Sequence, residues 1–201
     1  MTSETDSRDW LMVSVSTAGA AGTLRVTVWR KLRSLGALYL QQSVCLLPAE
    51  PEVVRQVRRL ADKVRQQGGS ARVLTMRFAD RDEERGVIAE FNTARDDEYA
   101  EMLERLPELR KELESERARG RATYAEVEES EADLERYRSW LAKIAARDYF
   151  DAPGGQAARD AVEQAARDLA DFEQAALSRE APVEPAVEDA SQRRLRAVED
   201  R

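Results

Sequence analysis

The first 80 residues alternate between strand-like and helix-like patterns of hydrophobic side chains. Residues 10–16, with the sequence WLMVSVS, form a short apolar run that ends in a loop of small residues, which is typical of a buried strand followed by a turn. The next apolar residues recur at helical spacing up to Gly36, and glycine often ends a helix. The helix predicted there carries its apolar stripe on Leu24, Val28, Leu32 and Leu35.

A second helix and further strands complete this first segment. Residues 37–47 are apolar on either side of a polar Gln-Gln-Ser, which predicts one long bent strand or a tight hairpin ended by Pro48. Pro51 opens a helix that ends at the Gly-Gly pair 68–69, and residues 71–78 alternate as in a half-buried strand. The order β-α-β-α-β predicts an α+β fold with a ferredoxin-like domain over residues 10–79, in which both helices cover one face of an antiparallel sheet.

Beyond Asp80 the pattern becomes helical throughout. Apolar residues recur every three or four positions on both sides of Gly120, which predicts a long antiparallel helical hairpin with coiled-coil-like packing. Pro107 lies inside its first helix, and we expect a kink there or a new helix after Leu106. An alanine-rich third helix follows, so that the helical segment spans residues 80–178. We expect residues 1–9 to be disordered and residues 179–201 to form a mobile charged tail.

Composition narrows the chemistry. The 201 residues include no histidine, which excludes Ser-His-Asp and Cys-His catalysis and any zinc site with an imidazole ligand. The single cysteine, Cys45, lies in an apolar run and is expected to pack in the core. The acidic clusters near residues 80–84 and 96–98 suit helix ends and solvated faces. We therefore predict a protein that is not an enzyme, without cofactor or metal. The acidic N-terminus lacks a signal pattern, and no apolar run approaches the ~20 residues of a membrane span, so a cytoplasmic location is expected.

Charge is divided unevenly along the chain. Residues 1–80 hold 12 Lys and Arg against 7 Asp and Glu, whereas residues 81–201 hold 20 against 32. The basic side chains of the two N-terminal helices fall off the apolar stripes, so two helices on one sheet face would present a positive surface to phosphate groups. The alternative is that these residues pair with the acidic helical segment or form a soluble exterior. The candidate nucleic-acid or oxyanion ligands are Arg25, Arg30, Lys31, Arg33, Arg55, Arg58 and Arg59.

Four stretches occur together in an order and spacing that match a known family. They are residues 10–16, residues 28–48, residues 84–102 with the sequence ERGVIAEFNTARDDEYAEM, and residues 119–155, which begin RGRATYAEVEESEADLERYRSWLAKIAARDYF. The chain resembles the N-terminal domain of ChrB-type chromate-resistance proteins, which implies a chromate-responsive regulator associated with chromate-resistance operons. Longer members carry a second, C-terminal domain, and we expect a stand-alone N-terminal domain here.

Two hypotheses about function follow. The first is a regulatory or accessory protein, active in transcription regulation, that forms a homodimer and binds DNA or a small oxyanion. Chromate is a tetrahedral dianion, and an arginine cluster such as Arg30, Arg33, Arg55 and Arg59 offers the donors to hold it or a phosphate. The second hypothesis is a structural module for protein–protein interaction that acts through the helical hairpin.

Overall fold

The first segment folds as a four-stranded antiparallel sheet with two helices, which we call the head. The computed structural model describes residues 8–20, 22–120 and 123–180. The strand order β2-β3-β1-β4 and the order of elements along the chain confirm the α+β, ferredoxin-like prediction. Residues 37–47 form the hairpin rather than the single bent strand, and this hairpin supplies the fourth strand. The elements of the head are β1 (Trp10–Ser16), α1 (Gly22–Ser34), β2 (Leu38–Gln41), β3 (Val44–Pro48), α2 (Pro51–Gln66) and β4 (Ser70–Met76).

Both helices of the head cover the same face of the sheet. Successive side chains of a strand point to opposite faces, so Leu11 and Val13 of β1 share one face. They are buried in one apolar cluster together with Leu24 of α1 and Val57 of α2. The remaining buried members from the two helices are Val28, Leu32, Val53, Leu60, Ala61 and Val64, which occupy the positions that the helical periodicity predicts.

The second segment is a three-helix bundle, which we call the arm. It contains α3 (Arg81–Ala118), α4 (Tyr124–Ala145) and α5 (Gly154–Glu180). The predicted hairpin is formed by α3 and α4, and Gly120 follows α3 with a φ of +71°. The apolar stripes of both helices are buried against α5, where Val162, Leu169 and Phe172 contribute the larger side chains.

Helix α3 is continuous through Pro107, so of the two expected outcomes, a kink or a new helix after Leu106, the new helix was wrong. Proline removes one backbone hydrogen bond within a helix. Here the neighbouring Leu106 and Leu109 are both buried in the core of the arm, and their packing holds the helix together across this position.

Acidic residues of the arm have structural partners. Asp80 begins α3 and accepts a hydrogen bond from the backbone N–H of Asp82 at 2.8 Å. Asp96, which the sequence places in a helix interior, accepts from the N–H of Gly154 at 2.7 Å and so binds the first turn of α5. Asp168 of α5 pairs with Arg110 of α3 at 2.5 Å. These contacts agree with a structural explanation of the acidic clusters.

The limits assigned to the two segments stay a prediction. Of the termini predicted to be disordered or mobile, residues 1–7 and 181–201 lie outside the described residues. Within the described part, Arg8 lies over the ring of Phe150 at 4.7 Å, and Asp9 pairs with Arg77 at 2.5 Å.

Gly36 provides a test of the contact between head and arm. This residue has a φ of +69°, and a β-carbon there would lie 2.6 Å from Nη1 of Arg95 and 3.0 Å from Cβ of Arg147. We expect Gly36→Ala to lower the free energy of unfolding, by about 1–2 kcal/mol from the left-handed backbone alone and by a further ~1–3 kcal/mol from overpacking. Chemical denaturation of the purified protein measures the sum of the two contributions.

The matched control is Gly68→Ala. Gly68 has a φ of +83°, and no heavy atom lies within 4 Å of the position of its β-carbon. This variant therefore carries the backbone cost without the collision. Equal losses of stability in the two variants would show that Arg95 and Arg147 do not pack tightly against Gly36.

Candidate nucleic-acid interface

The outer sides of α1 and α2 form one cationic surface, which we call the basic face. Because both helices pack on the same face of the sheet, their solvent sides adjoin. Helix α1 contains no carboxylate, and α2 contains only Glu52 and Asp62. The basic residues of the two helices are Arg25, Arg30, Lys31, Arg33, Arg55, Arg58, Arg59, Lys63 and Arg65.

A groove of about 520 Å³ runs between the two helices. Lys31 lines it from α1, and Arg59 and Lys63 line it from α2. The Nζ of Lys31 donates a hydrogen bond to Oε1 of Gln56 on the opposite wall. Three cationic side chains thus surround a concave strip, which is an arrangement suited to a polyanionic backbone. The other lining residues are Thr27, Glu52, Gln56 and Leu60.

Few of the basic residues are neutralised. Arg55 pairs with Glu52, and Arg65 pairs with Asp62 at 2.7 Å, both across one turn of α2. These ion pairs are largely exposed, so they contribute little to stability. None of the seven predicted ligands pairs with a carboxylate of the arm, within the ranges that the structure describes. The described contacts therefore do not support the alternative that these side chains pair with the acidic segment.

The seven predicted residues do not all meet at one place. Lys31 of α1 and Arg59 of α2 line opposite walls of the groove. Arg30 and Arg58 are exposed. Arg25 lines a different cleft, on the side of α1 that faces the β2–β3 hairpin. Arg33 lies over the Trp29 ring at 5.1 Å, and Trp29 lines that same cleft. The cluster of Arg30, Arg33, Arg55 and Arg59 suggested for an oxyanion is therefore distributed over different sides of the two helices.

Sequence reasoning missed Trp29. This side chain is 47% exposed, although it follows Val28 of the apolar stripe and lies in a run of large residues. The available signal was its place among Arg25, Arg30 and Arg33, because an aromatic ring between arginines on a helix surface is typical of a binding surface.

The described residues include neither a candidate metal cluster nor an ionised thiol at neutral pH. No group of three or more Cys, Asp and Glu side chains among them is arranged to hold a metal ion. Cys45 is buried on β3, and burial raises the pKa of its thiol to about 12. Its burial confirms that Cys45 packs as a core residue, and the raised pKa keeps the thiol un-ionised near neutral pH. No helix in the described ranges has the length and apolar character needed to cross a membrane.

The fold and this surface define an α+β protein with a ferredoxin-like head and a cationic helical face. The chain belongs to the family described as Protein ChrB, N-terminal, whose model matches residues 25–182. It is 33% identical over 104 residues to Protein ChrB of Cupriavidus metallidurans (strain ATCC 43123 / DSM 2839 / NBRC 102507 / CH34), a match that covers 52% of this chain and 32% of that protein. The match thus spans about a third of the curated relative's length. Comparison with solved structures gave no match.

The state of Cys45 is directly testable. Because burial raises its pKa to about 12, the reactive thiolate is absent at neutral pH. We expect the folded protein to resist alkylation by a maleimide at neutral pH and the guanidinium-unfolded protein to take up one equivalent, as measured by mass spectrometry. Rapid alkylation of the folded protein would show that the thiol is accessible and would contradict its place in the core.

Proposed function

We propose that this chain is a regulatory or accessory protein, not an enzyme, that binds DNA through the basic face of its head. The observation that supports this most is the excess of arginine and lysine on α1 and α2, which arm carboxylates leave unpaired among the described residues. Membership of the ChrB N-terminal family supports a regulatory or accessory role. The resemblance to chromate-resistance regulators makes a chromate-resistance operon the setting that we propose.

The chemistry of the basic face favours contacts to phosphate over contacts to bases. Arginine and lysine neutralise backbone phosphates and release condensed counterions, so that binding weakens steeply as salt rises. Such contacts position a protein on the duplex but read little sequence. The groove between α1 and α2 presents Lys31, Arg59 and Lys63 for this purpose. We therefore propose binding that is strongly dependent on salt and only weakly selective for sequence.

The competing functions have less support. A convergent oxyanion site needs several donors aimed at one point. Arg33 lies beside Trp29 and Arg55 pairs with Glu52, so the four arginines proposed for chromate do not converge. A partner-binding hairpin needs an exposed apolar stripe, and the stripes of α3 and α4 are instead buried against α5. DNA binding is the function we retain.

The basic face predicts a specific salt dependence. We expect the double variant Lys31→Gln/Arg59→Gln to weaken binding of the full chain to a labelled DNA duplex, because two phosphate contacts are lost. The slope of log K against log salt should fall by about 2, since each contact contributes about 1. Fluorescence anisotropy across a salt series measures both quantities, and the duplex comes from the region upstream of the chain's own operon.

The control removes the same charge elsewhere. Arg138 and Arg167 are exposed on the arm and pair with Glu135 and Glu163. We expect Arg138→Gln/Arg167→Gln to leave affinity and slope near those of the unaltered protein. Absence of binding at low salt, or equal losses in both double variants, would overturn DNA binding by the basic face.

We also propose that two copies associate through the exposed part of the sheet face opposite α1 and α2, which we call the open face; Trp10 and Leu46 on the same face are buried. Leu74 of β4 is 52% exposed on this face and lies beside Met12 of β1 in the sheet register. Such a dimer leaves α1 and α2 of both copies free for DNA. The exposed Leu74 and the partly buried Met12 beside it are the contact that we propose for this interface.

Light scattering on the full chain tests this association. We expect a concentration-dependent dimer that Leu74→Glu converts to monomer, because a buried carboxylate at the interface is strongly unfavourable. Leu177→Glu, at an exposed position of α5, is the matched control and should leave the dimer intact. A monomer at all concentrations, or equal disruption by both substitutions, would contradict an interface at the open face.

A further inference from the structure

A second concave site lies beside α1, on the side away from the α1–α2 groove. It is a cleft of about 690 Å³ between α1, the end of β1 and the β2–β3 hairpin. A volume of this size lies within the range of small-molecule sites, which is about 300–1,000 Å³. We call this site the hairpin cleft, and neither the basic face nor the family description assigns it a role.

The hairpin cleft has an apolar floor and an aromatic rim. Val28, Leu32 and Cys45 are buried residues of its wall. Trp29 and Tyr39 also line it, and they remain 47% and 39% exposed. Two large rings beside a concave apolar surface offer flat contact area to a planar ligand, because aromatic pairs gain energy from offset or edge-to-face packing.

The polar groups of the cleft favour an anion. None of its lining residues is acidic, and Arg25 pairs with no carboxylate in the described ranges. The guanidinium of Arg33 lies over the Trp29 ring and adds positive charge beside the rim. Arginine binds carboxylates through two parallel hydrogen bonds, which a point charge such as lysine does not provide. The remaining polar lining residues are Ser16, Thr17, Gln42 and Ser43.

From this combination we propose that the hairpin cleft binds a small planar aromatic carboxylate. Its ring packs between Trp29 and Tyr39 over the apolar wall, and its carboxylate pairs with Arg25. The site would be distinct from the DNA-binding groove, because Lys31 of α1 and Arg59 of α2 line that groove on the other side of α1. It therefore goes beyond the proposed function and is independent of it.

The experiment uses the full chain and the probe 2-naphthoate, which carries both required features. Isothermal titration calorimetry compares it with naphthalene-2-methanol, which keeps the rings without the charge, and with cyclohexanecarboxylate, which keeps the charge without the rings. We expect 2-naphthoate to bind at least about tenfold more tightly than either, because stacking and the charged hydrogen bonds each contribute that much. Absence of 2-naphthoate binding, or equal binding of the uncharged alcohol, would overturn the proposal.

Variants locate the binding within the cleft. Arg25→Gln and Trp29→Leu change exposed side chains, so the fold should persist, and circular dichroism checks this. We expect each substitution to weaken the binding of 2-naphthoate at least about tenfold. Trp29→Phe should lose less affinity because it keeps a ring. Arg58→Gln on α2 is the matched control and should have no effect. Unchanged affinity in both cleft variants would place the probe elsewhere and refute the assignment.

The two proposals remain separable. Lys31→Gln/Arg59→Gln should lose DNA affinity and keep most of its 2-naphthoate affinity, since neither residue lines the hairpin cleft. Loss of 2-naphthoate binding in this double variant would show that the probe occupies the basic face, which contradicts the hairpin cleft and leaves DNA binding to be judged by its own salt series.

Discussion

The arrangement of this protein depends on the burial of one tryptophan between its two segments. Trp10 of β1 is fully buried, and its indole N–H donates to Oε1 of Glu84 on α3 at 2.8 Å. Its ring lies 5.6 Å from that of Phe150, which follows α4, and 5.8 Å from that of Phe91 on α3. Aromatic rings bury large areas and favour specific geometries, so this cluster fixes the arm to one end of the sheet. Because the arm is held there, the helical face of the head stays open.

An ion-pair network of the arm lies against the head at Gly36. Arg95 is a buried charged residue of α3, and Glu98 binds it at 3.0 Å while binding Arg147 at 2.6 Å. Burial lowers the pKa of Arg95, and the nearby Glu98 opposes that shift. Nε and Nη1 of Arg95 have no hydrogen-bond partner, so the guanidinium is held by packing as well as by its carboxylate. Because Arg95, Glu98 and Arg147 all belong to the arm, the network orders the surface of the arm that packs against Gly36 of the head.

Periodicity predicted most of the fold because it reports burial directly. The stripe Leu24, Val28 and Leu32 is buried as the helical spacing requires, and the α3–α4 hairpin turns at the glycine that interrupts its pattern. The sequence did not decide between one bent strand and a hairpin for residues 37–47, because both contain the same apolar run. The sequence did not decide between a kink and a new helix at Pro107, because continuity there depends on packing with other helices, which local sequence does not encode.

The sequence predicted which residues belong to the candidate site, but it did not predict how they are arranged in space. The sequence shows that each arginine lies off the apolar stripe of its helix. Which groove or cleft the arginine lines depends on the elements that pack beside that helix. Only the placement of α2 shows that Lys31 faces a groove, and only the hairpin shows that Arg25 faces a cleft. Trp29 was overlooked for the same reason, since a large ring next to an apolar stripe is most often part of the core.

Helix α1 therefore has polar residues on two opposite sides. Its apolar stripe lies between these sides and packs on the sheet. Positions two residues apart on a helix differ by about 200°, so Arg25 and Trp29 lie nearly opposite Thr27 and Lys31. The buried stripe anchors α1 on the sheet, so we expect the coupling between its two sides to be mainly electrostatic. An anion beside Arg25 would offset part of the positive charge of α1 and weaken its attraction for phosphates. Thermodynamic linkage then requires that DNA bound to the basic face weaken the binding of the anion by the same factor.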